Sequence, residues 1–140
     1  MLRRLKEKEE KIQQVLDDLR EESARGTLIL VEGKKDVEAL RALGVEGKMN
    51  SVKTGGKSFL DVVSEVEKAN VSEVVLLLDF DRRGKQGTNR LRQSLECAGV
   101  KVNLEFWVAL LKLAGKDVQC VEGLEAYLKN LQAKTGATLK

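Results

Sequence analysis

Histidine is absent from this 140-residue chain, and so is proline. Without imidazole there is no Ser-His-Asp or Cys-His nucleophile, no histidine general base and no histidine-ligated zinc. Without proline no rigid linker divides the chain, and no repeat or low-complexity segment does so either. Cys97 and Cys120 are too few and too far apart for a zinc site or a disulfide framework. Two buried, reduced thiols are expected. Aromatic residues make up 4 % of the chain, and Phe59, Phe80, Phe106, Trp107 and Tyr127 are not interleaved with basic residues in the manner of a single-strand stacking platform. Sequence-specific base reading is therefore not expected. Trp107 belongs in a core or an interface, and Tyr127 falls in a helical Leu124-x-x-Tyr127-Leu128-x-x-Leu131 pattern that makes it a poor nucleophile. No apolar run reaches the roughly 20 residues that cross a bilayer, and no secretory signal is expected. The expectation is a cytoplasmic protein with no membrane partner.

Charge of one sign is also missing. Lys and Arg number 25 against 22 Asp and Glu, so at a net +3 any affinity for nucleic acid must come from a local basic patch. Charged residues reach 34 %, above the usual quarter, which suits a charge-laced surface of the kind thermophile proteins carry. A hydrophobic share of 42 % argues against disorder, and 140 residues make one domain with a real core.

What the chain does have is two carboxylate clusters, each placed where an apolar run stops. Leu28-Ile29-Leu30-Val31 ends in Glu32-Gly33, and Val74-Val75-Leu76-Leu77-Leu78 ends in Asp79-Phe80-Asp81-Arg82-Arg83-Gly84. Short β-branched runs bounded by Gly and charge read as buried parallel strands, and in open α/β sheets ligands sit beyond the carboxyl ends of the strands. Three carboxylates gathered at one sheet edge repel unless a hard cation lies among them. Mg²⁺ suits oxygen ligands, with Mn²⁺ as a substitute. Asp79 and Asp81, at i and i+2, point to one side if the strand runs through both, while Phe80 faces away and packs.

Elements alternate along the chain. Leu2, Leu5, Ile12, Leu16 and Leu19 predict an amphipathic helix over 2–24, with Glu9 at a seam position. It packs against the domain, or alternatively forms a coiled-coil dimer. Strands are predicted at 27–31, 49–52, 73–79 and 100–104. Helices are predicted from Lys35 to a stop at Gly44, from the capping box Ser58-x-x-Asp61 with Phe59, Val62, Val63 and Val66 on one face, up to Gly99 with Leu91, Leu95 and Ala98 inward, and over 105–114 and 123–133. Such alternation implies βαβ crossovers and a parallel sheet covered on both faces. Residues 1–25 form the N-terminal helix, 26–133 the domain with a helical extension, and 134–140 a flexible tail.

The segment Leu30-Val31-Glu32-Gly33-Lys34-Lys35-Asp36-Val37-Glu38-Ala39-Leu40 resembles the first signature of the Toprim domain, and Leu78-Asp79-Phe80-Asp81-Arg82-Arg83-Gly84 resembles its second, Asp-x-Asp-x-x-Gly. The resemblance runs from Thr27 to Val102 and continues through Val121-Glu122-Gly123-Leu124, as in the small stand-alone Toprim proteins of archaea, whose activity is undefined. Toprim domains also occur in topoisomerases, bacterial primase, nucleases, recombination mediators and the maturase of 5S ribosomal RNA. This implies a Toprim-like (Rossmann-like) α/β fold with a mostly parallel four-stranded sheet and helices on both faces. The gate domains and zinc ribbon of the larger enzymes have no counterpart in this sequence.

Site residues follow. Glu32 is the expected catalytic acid/base or a metal ligand, Asp79 and Asp81 are metal ligands, and Lys34, Lys57, Arg82 and Lys85 bind a nucleic-acid backbone. Gly33, Asp36 and Gly84 support them, Gly33 through tight turning and Asp36 through a helix N-terminus or by orienting a ligand. Lys35, Lys53 and Arg83 add to the basic rim. Thr54-Gly55-Gly56-Lys57-Ser58 is not a P-loop, because Ser51 stands where its first Gly is required. The expected function is Mg²⁺-dependent phosphodiester chemistry on RNA or DNA, most simply a nuclease. The alternative is a noncatalytic Mg²⁺-binding nucleic-acid adaptor, and the N-terminal helix offers a surface for a homodimer or a protein partner.

Overall fold

The two apolar runs lie side by side as the central strands of one sheet. The structure, a computed structural model, describes residues 2–53 and 56–136. Strands β1 (Leu28–Val31), β2 (Met49–Ser51), β3 (Glu73–Leu77) and β4 (Lys101–Asn103) are ordered β2-β1-β3-β4, and every pairing is parallel. β1 is buried throughout its length, as a strand covered on both faces requires. Alternation sends Ile29, Val31, Val75 and Leu77 into one core layer with α1 (Leu2–Ala24), α2 (Lys34–Ala42), α5 (Glu105–Ala114) and α6 (Leu124–Thr135). Leu28, Leu30, Val74 and Leu76 face the other way, against α3 (Phe59–Lys68) and α4 (Arg82–Cys97). The expected α/β architecture is what forms.

The N-terminal helix belongs to this core. Ile12, Leu16 and Leu19 are fully buried among residues of α5 and α6. Burial of each is worth about 1.5–3 kcal/mol, together the same order as the net stability of a domain. The chain's own helices cover the seam from Leu5 to Leu19, with Glu9 buried along it, while Leu2 at its start is exposed.

Local signals place most boundaries. Ser58 Oγ accepts from Asp61 N–H at 3.2 Å while Asp61 accepts from Ser58 N–H at 3.0 Å, the capping box read from sequence. Gly44, at φ +90°, stops α2 in the left-handed region that glycine tolerates. Other expectations are corrected. β3 ends at Leu77, not 79, because the chain turns there toward the start of α4. Ala98 is exposed, since it lies beyond the last turn that packs on the sheet. Cys97 is exposed and Cys120 half-buried, so the expected pair of buried thiols is not formed. α6 continues through Thr135, two residues into the stretch read as tail, and residues 137–140 lie outside the described residues. Among the described residues no helix is long and apolar enough to cross a membrane.

Candidate metal centre and basic rim

The chain leaves β1, crosses to β2 on one side and then returns past β1 to β3 on the other. The topological switch point therefore lies between β1 and β3, where adjacent connections diverge and open a crevice. Glu32 follows β1 and Asp79 follows β3, one on each side of it. Their approach is direct: Glu32 Oε1 accepts from the backbone N–H of Asp79 at 3.2 Å. Glu32 Oε2 lies 3.4 Å from Lys53 Nζ, which partly offsets its charge. The N-termini of α2 and α4 reach the same edge from opposite faces and add positive dipole ends.

Asp36, in the first turn of α2, is 6 % exposed. Its two oxygens accept from Gly33 N–H at 3.0 Å and from Glu122 N–H at 2.9 Å. The second bond spans 86 residues and gives the Glu122 backbone a role: it fastens the 3₁₀ turn Val121–Gly123 to the site. Burial raises the pKa of Asp36, against the lowering effect of those two N–H groups. Gly33 is extended at φ −142°, and a Cβ there would meet nothing closer than 3.9 Å. The chain bends at Glu32 and Gly33 without a positive φ. What Gly33 contributes is its N–H.

Asp79 carries the strongest electrostatic signature. Among the described residues no donor hydrogen-bonds its carboxylate. Burial, then Glu32, Asp36 and Asp81, push its pKa up to about 7, with Lys53 opposing. Withdrawal of the carboxyl from water is the main cause, and the neighbouring negative charges add to it. One ligand oxygen each of Asp36 and Asp79 and the Cys120 sulfur lie within 4.8 Å of one another. Sequence reasoning missed Cys120, which stands 41 residues beyond Asp79 and comes close because Phe80 N–H donates to Gln119 C=O at 2.7 Å. Burial pushes its thiol pKa up.

Asp81 is placed differently from the expectation. With β3 already ended, Asp79 and Asp81 do not share a strand face. Asp81 is the N-cap of α4, its Oδ1 accepting from Gly84 N–H at 2.8 Å. It still lies near enough to raise the Asp79 pKa. Gly84 is buried, and a Cβ there would fall within 2.8 Å of Asp79 Cβ and closer still to the Asp79 carbonyl. The glycine is thus required for α4 to start against Asp79. Phe80 packs inward at 2 % exposure, and Trp107 Nε1 donates to Leu78 C=O at 3.0 Å, so both aromatics hold the strand end in the core as expected.

Around this crevice Lys34, Arg82, Arg83 and Lys85 are exposed. Lys57 is more committed: its Nζ donates to Ser51 C=O at 3.2 Å and pairs with Glu65 at 3.0 Å. Thr54 and Gly55 of the glycine-containing loop lie outside the described residues.

These features coincide with a known family. A model of the Toprim domain matches residues 26–104, more than half of the chain. The chain belongs to the Toprim family. It is 36 % identical over 127 residues to a UPF0292 protein of Methanosarcina barkeri, covering 91 % of this chain and 87 % of that one. It is 33 % identical over 119 residues to a UPF0292 protein of Methanocaldococcus jannaschii, covering 85 % and 91 %. A solved structure, a putative protein from Aquifex aeolicus, superposes with a TM-score of 0.65 at 29 % identity over 79 % of this chain and 94 % of that one. Toprim membership places the chain in a metal-binding, nucleic-acid-related family. The donor set here fits a divalent cation. The carboxylates are hard oxygen ligands, and the negative charges of Glu32, Asp36 and Asp81 that add to the effect of burial on Asp79 are ones a cation would offset.

One consequence concerns stability. The carboxyl of Asp79 titrates near 7 in the fold against about 4 in the unfolded chain, so the native state holds the extra proton between those values. The metal-free protein should therefore lose stability as pH rises from about 4 to about 7. Asp79→Asn is expected to be more stable than wild type at pH 8 in chelator, by on the order of 1–2 kcal/mol after discounting for solvent access. That gain should vanish below about pH 4. Urea unfolding across this range is the check, and a gain independent of pH would contradict the titration.

Proposed function

We propose that this protein is a divalent-metal-dependent phosphodiester hydrolase acting on RNA or DNA, with Mg²⁺ as the working ion. The observation that carries the reading is the uncompensated Asp79 carboxylate at the switch point, flanked by Glu32 and Asp81 and ringed by exposed Lys and Arg. Asp79 would be the principal ligand, with the Asp36 oxygen that lies within 4.8 Å of it beside it, while Glu32 and Asp81, outside that group, would complete the set only by turning toward the ion. The ion supplies Lewis-acid activation of a phosphoryl oxygen and of water. Where the ion leaves it free, Glu32 would serve as the proton acceptor, its side chain oriented by the N–H of Asp79. Arg82, Lys34 and Lys85 draw in the phosphodiester backbone through counterion release.

A cleavage assay on mixed structured RNA and DNA tests this reading. Products are expected with Mg²⁺ or Mn²⁺ and none in chelator. Binding should weaken steeply with salt, and Arg82→Ala should reduce the slope of log affinity against log salt by about one. Lys57→Ala should reduce it less, because that ammonium is already paired with Glu65. Salt-dependent binding without cleavage under any of these conditions would leave the adaptor reading in its place.

A further inference from the structure

Two clefts open on the α3–α4 face of the sheet and run into one another. One, of about 570 Å³, starts at Glu32 and passes Lys53 and Arg83. The other, of about 840 Å³, extends from Lys57 to Cys97, and the two share Lys57, Phe59 and Arg90. Along α4 the lining residues Arg83, Gln86, Arg90, Gln93 and Cys97 recur at 3- and 4-residue steps. One continuous helix face therefore forms a wall leading away from the carboxylate crevice. Phe59 stands on the opposite wall, only partly buried at the start of α3. The Arg90 guanidinium carbon lies 5.6 Å from its ring centroid. Among the described residues neither Arg83 nor Arg90 has an acidic partner.

An isolated Arg–Phe pair is ordinary, since such contacts occur about once per 70–80 residues. This one differs in its surroundings. It sits at the junction of two clefts, with unpaired cations on the wall toward Glu32, and exposed Leu60 at the lip extends the apolar surface. A flat ring with a guanidinium over it, set among cations and amide side chains, matches an unstacked base and its flanking phosphates. It does not match a duplex, whose bases are already stacked and whose outer surface is phosphate. Sequence inspection could not find it, because Phe59 and Arg90 are 31 residues apart and meet only through α3–α4 packing.

We propose that the α3–α4 groove binds single-stranded nucleic acid, stacking one base on the Phe59–Arg90 pair and passing the adjoining phosphate past Arg83 and Lys53 to the carboxylate crevice. The inference deepens the proposed hydrolysis and rests on it for the fate of the strand, though binding in the groove needs no metal. It makes the substrate an unpaired segment: a loop, an overhang or a free end.

Fluorescence anisotropy in chelator tests it, with labelled oligo(dT) and oligo(U), a blunt hairpin duplex, and an oligonucleotide of the same length with abasic sites in place of bases. Wild type should prefer either single strand to the duplex. Phe59→Leu, which keeps apolar volume for the core, should weaken single-strand binding roughly 5- to 100-fold. Removing the bases should cost wild type a similar factor and cost Phe59→Leu nothing further. Arg90→Gln changes an exposed side chain and should show the same insensitivity to base removal, so the inference stays testable if Phe59→Leu folds poorly. Duplex preferred over both single strands, or both variants still losing affinity on base removal as wild type does, would overturn it. Cleavage of a blunt duplex unaffected by Phe59→Leu would remove this groove and leave the hydrolase reading standing. Base-dependent single-strand binding with no cleavage in Mg²⁺ or Mn²⁺ would do the reverse.

Discussion

Glu32→Gln is expected to lower cleavage by at least about 100-fold while leaving nucleic-acid affinity close to that of wild type. General acid–base groups contribute roughly 10²–10⁴-fold, and of the rim cations only Lys53 is paired with this side chain, so Lys34, Arg82 and Lys85 keep their affinity for the backbone. The substitution is mild for the fold. A Gln side-chain oxygen can still accept from Asp79 N–H, as Glu32 Oε1 does at 3.2 Å, and no volume changes. What disappears is the negative charge. Glu32 is also the largest charged contributor to the raised Asp79 pKa, so the Asp79 carboxyl should titrate below 7 in this variant yet remain above the ordinary range, because burial is the larger cause. Carboxyl NMR titration reads that shift directly. An unchanged Asp79 titration would mean that the two groups are not coupled as the geometry requires. Unchanged cleavage would remove Glu32 from the chemistry.

Gly84→Ala should reverse the usual sign of a helix substitution. Gly84 lies in the first turn of α4, and in an ordinary helix Ala is favoured over Gly by about 1 kcal/mol. Here a Cβ would press on the carbonyl and Cβ of Asp79, which are parts of the backbone turn and the site itself. Neither is a flexible side chain that swings aside, so α4 or the Asp79 turn must move. A loss of about 1–3 kcal/mol is expected, the range for overpacking a close contact, together with weaker divalent-metal binding because Asp79 shifts. Gly33→Ala is the control. Its extended backbone and open surroundings should make it nearly neutral in stability, although as the N-cap of α2 it too lies at the foot of a helix beside the crevice. Urea denaturation and calorimetric metal titration of both variants check the pair. Equal behaviour of the two would show that the close approach at Gly84 does not govern the site.

The class of fold and the address of the site are legible in one dimension. Four β-rich runs separated by helical periods leave few arrangements, because crossovers between parallel strands are right-handed and must bury helices on both faces. The acidic residues that end the two longest runs had to reach the carboxyl edge, since strand direction is common to all four. The capping box at Ser58 and the stop at Gly44 were legible because each depends on a few adjacent residues.

What the tertiary structure decided is which atoms meet. Asp81 was read as a strand residue beside Asp79. It became a helix cap because β3 ends at Leu77 and its oxygen finds the Gly84 N–H three residues on. Cys120 and Glu122 entered the site from the far end of the chain, and Phe59 met Arg90 across two helices. Lys57, one basic residue among many in the sequence, is paired with Glu65. The fold of the N-terminal helix onto α5 and α6 settled in the same way what its apolar seam faces. Periodicity and run length are local and survive in one dimension. Side-chain pairing across the switch point depends on distances between residues remote in sequence, and only the packed sheet and its helices set those distances.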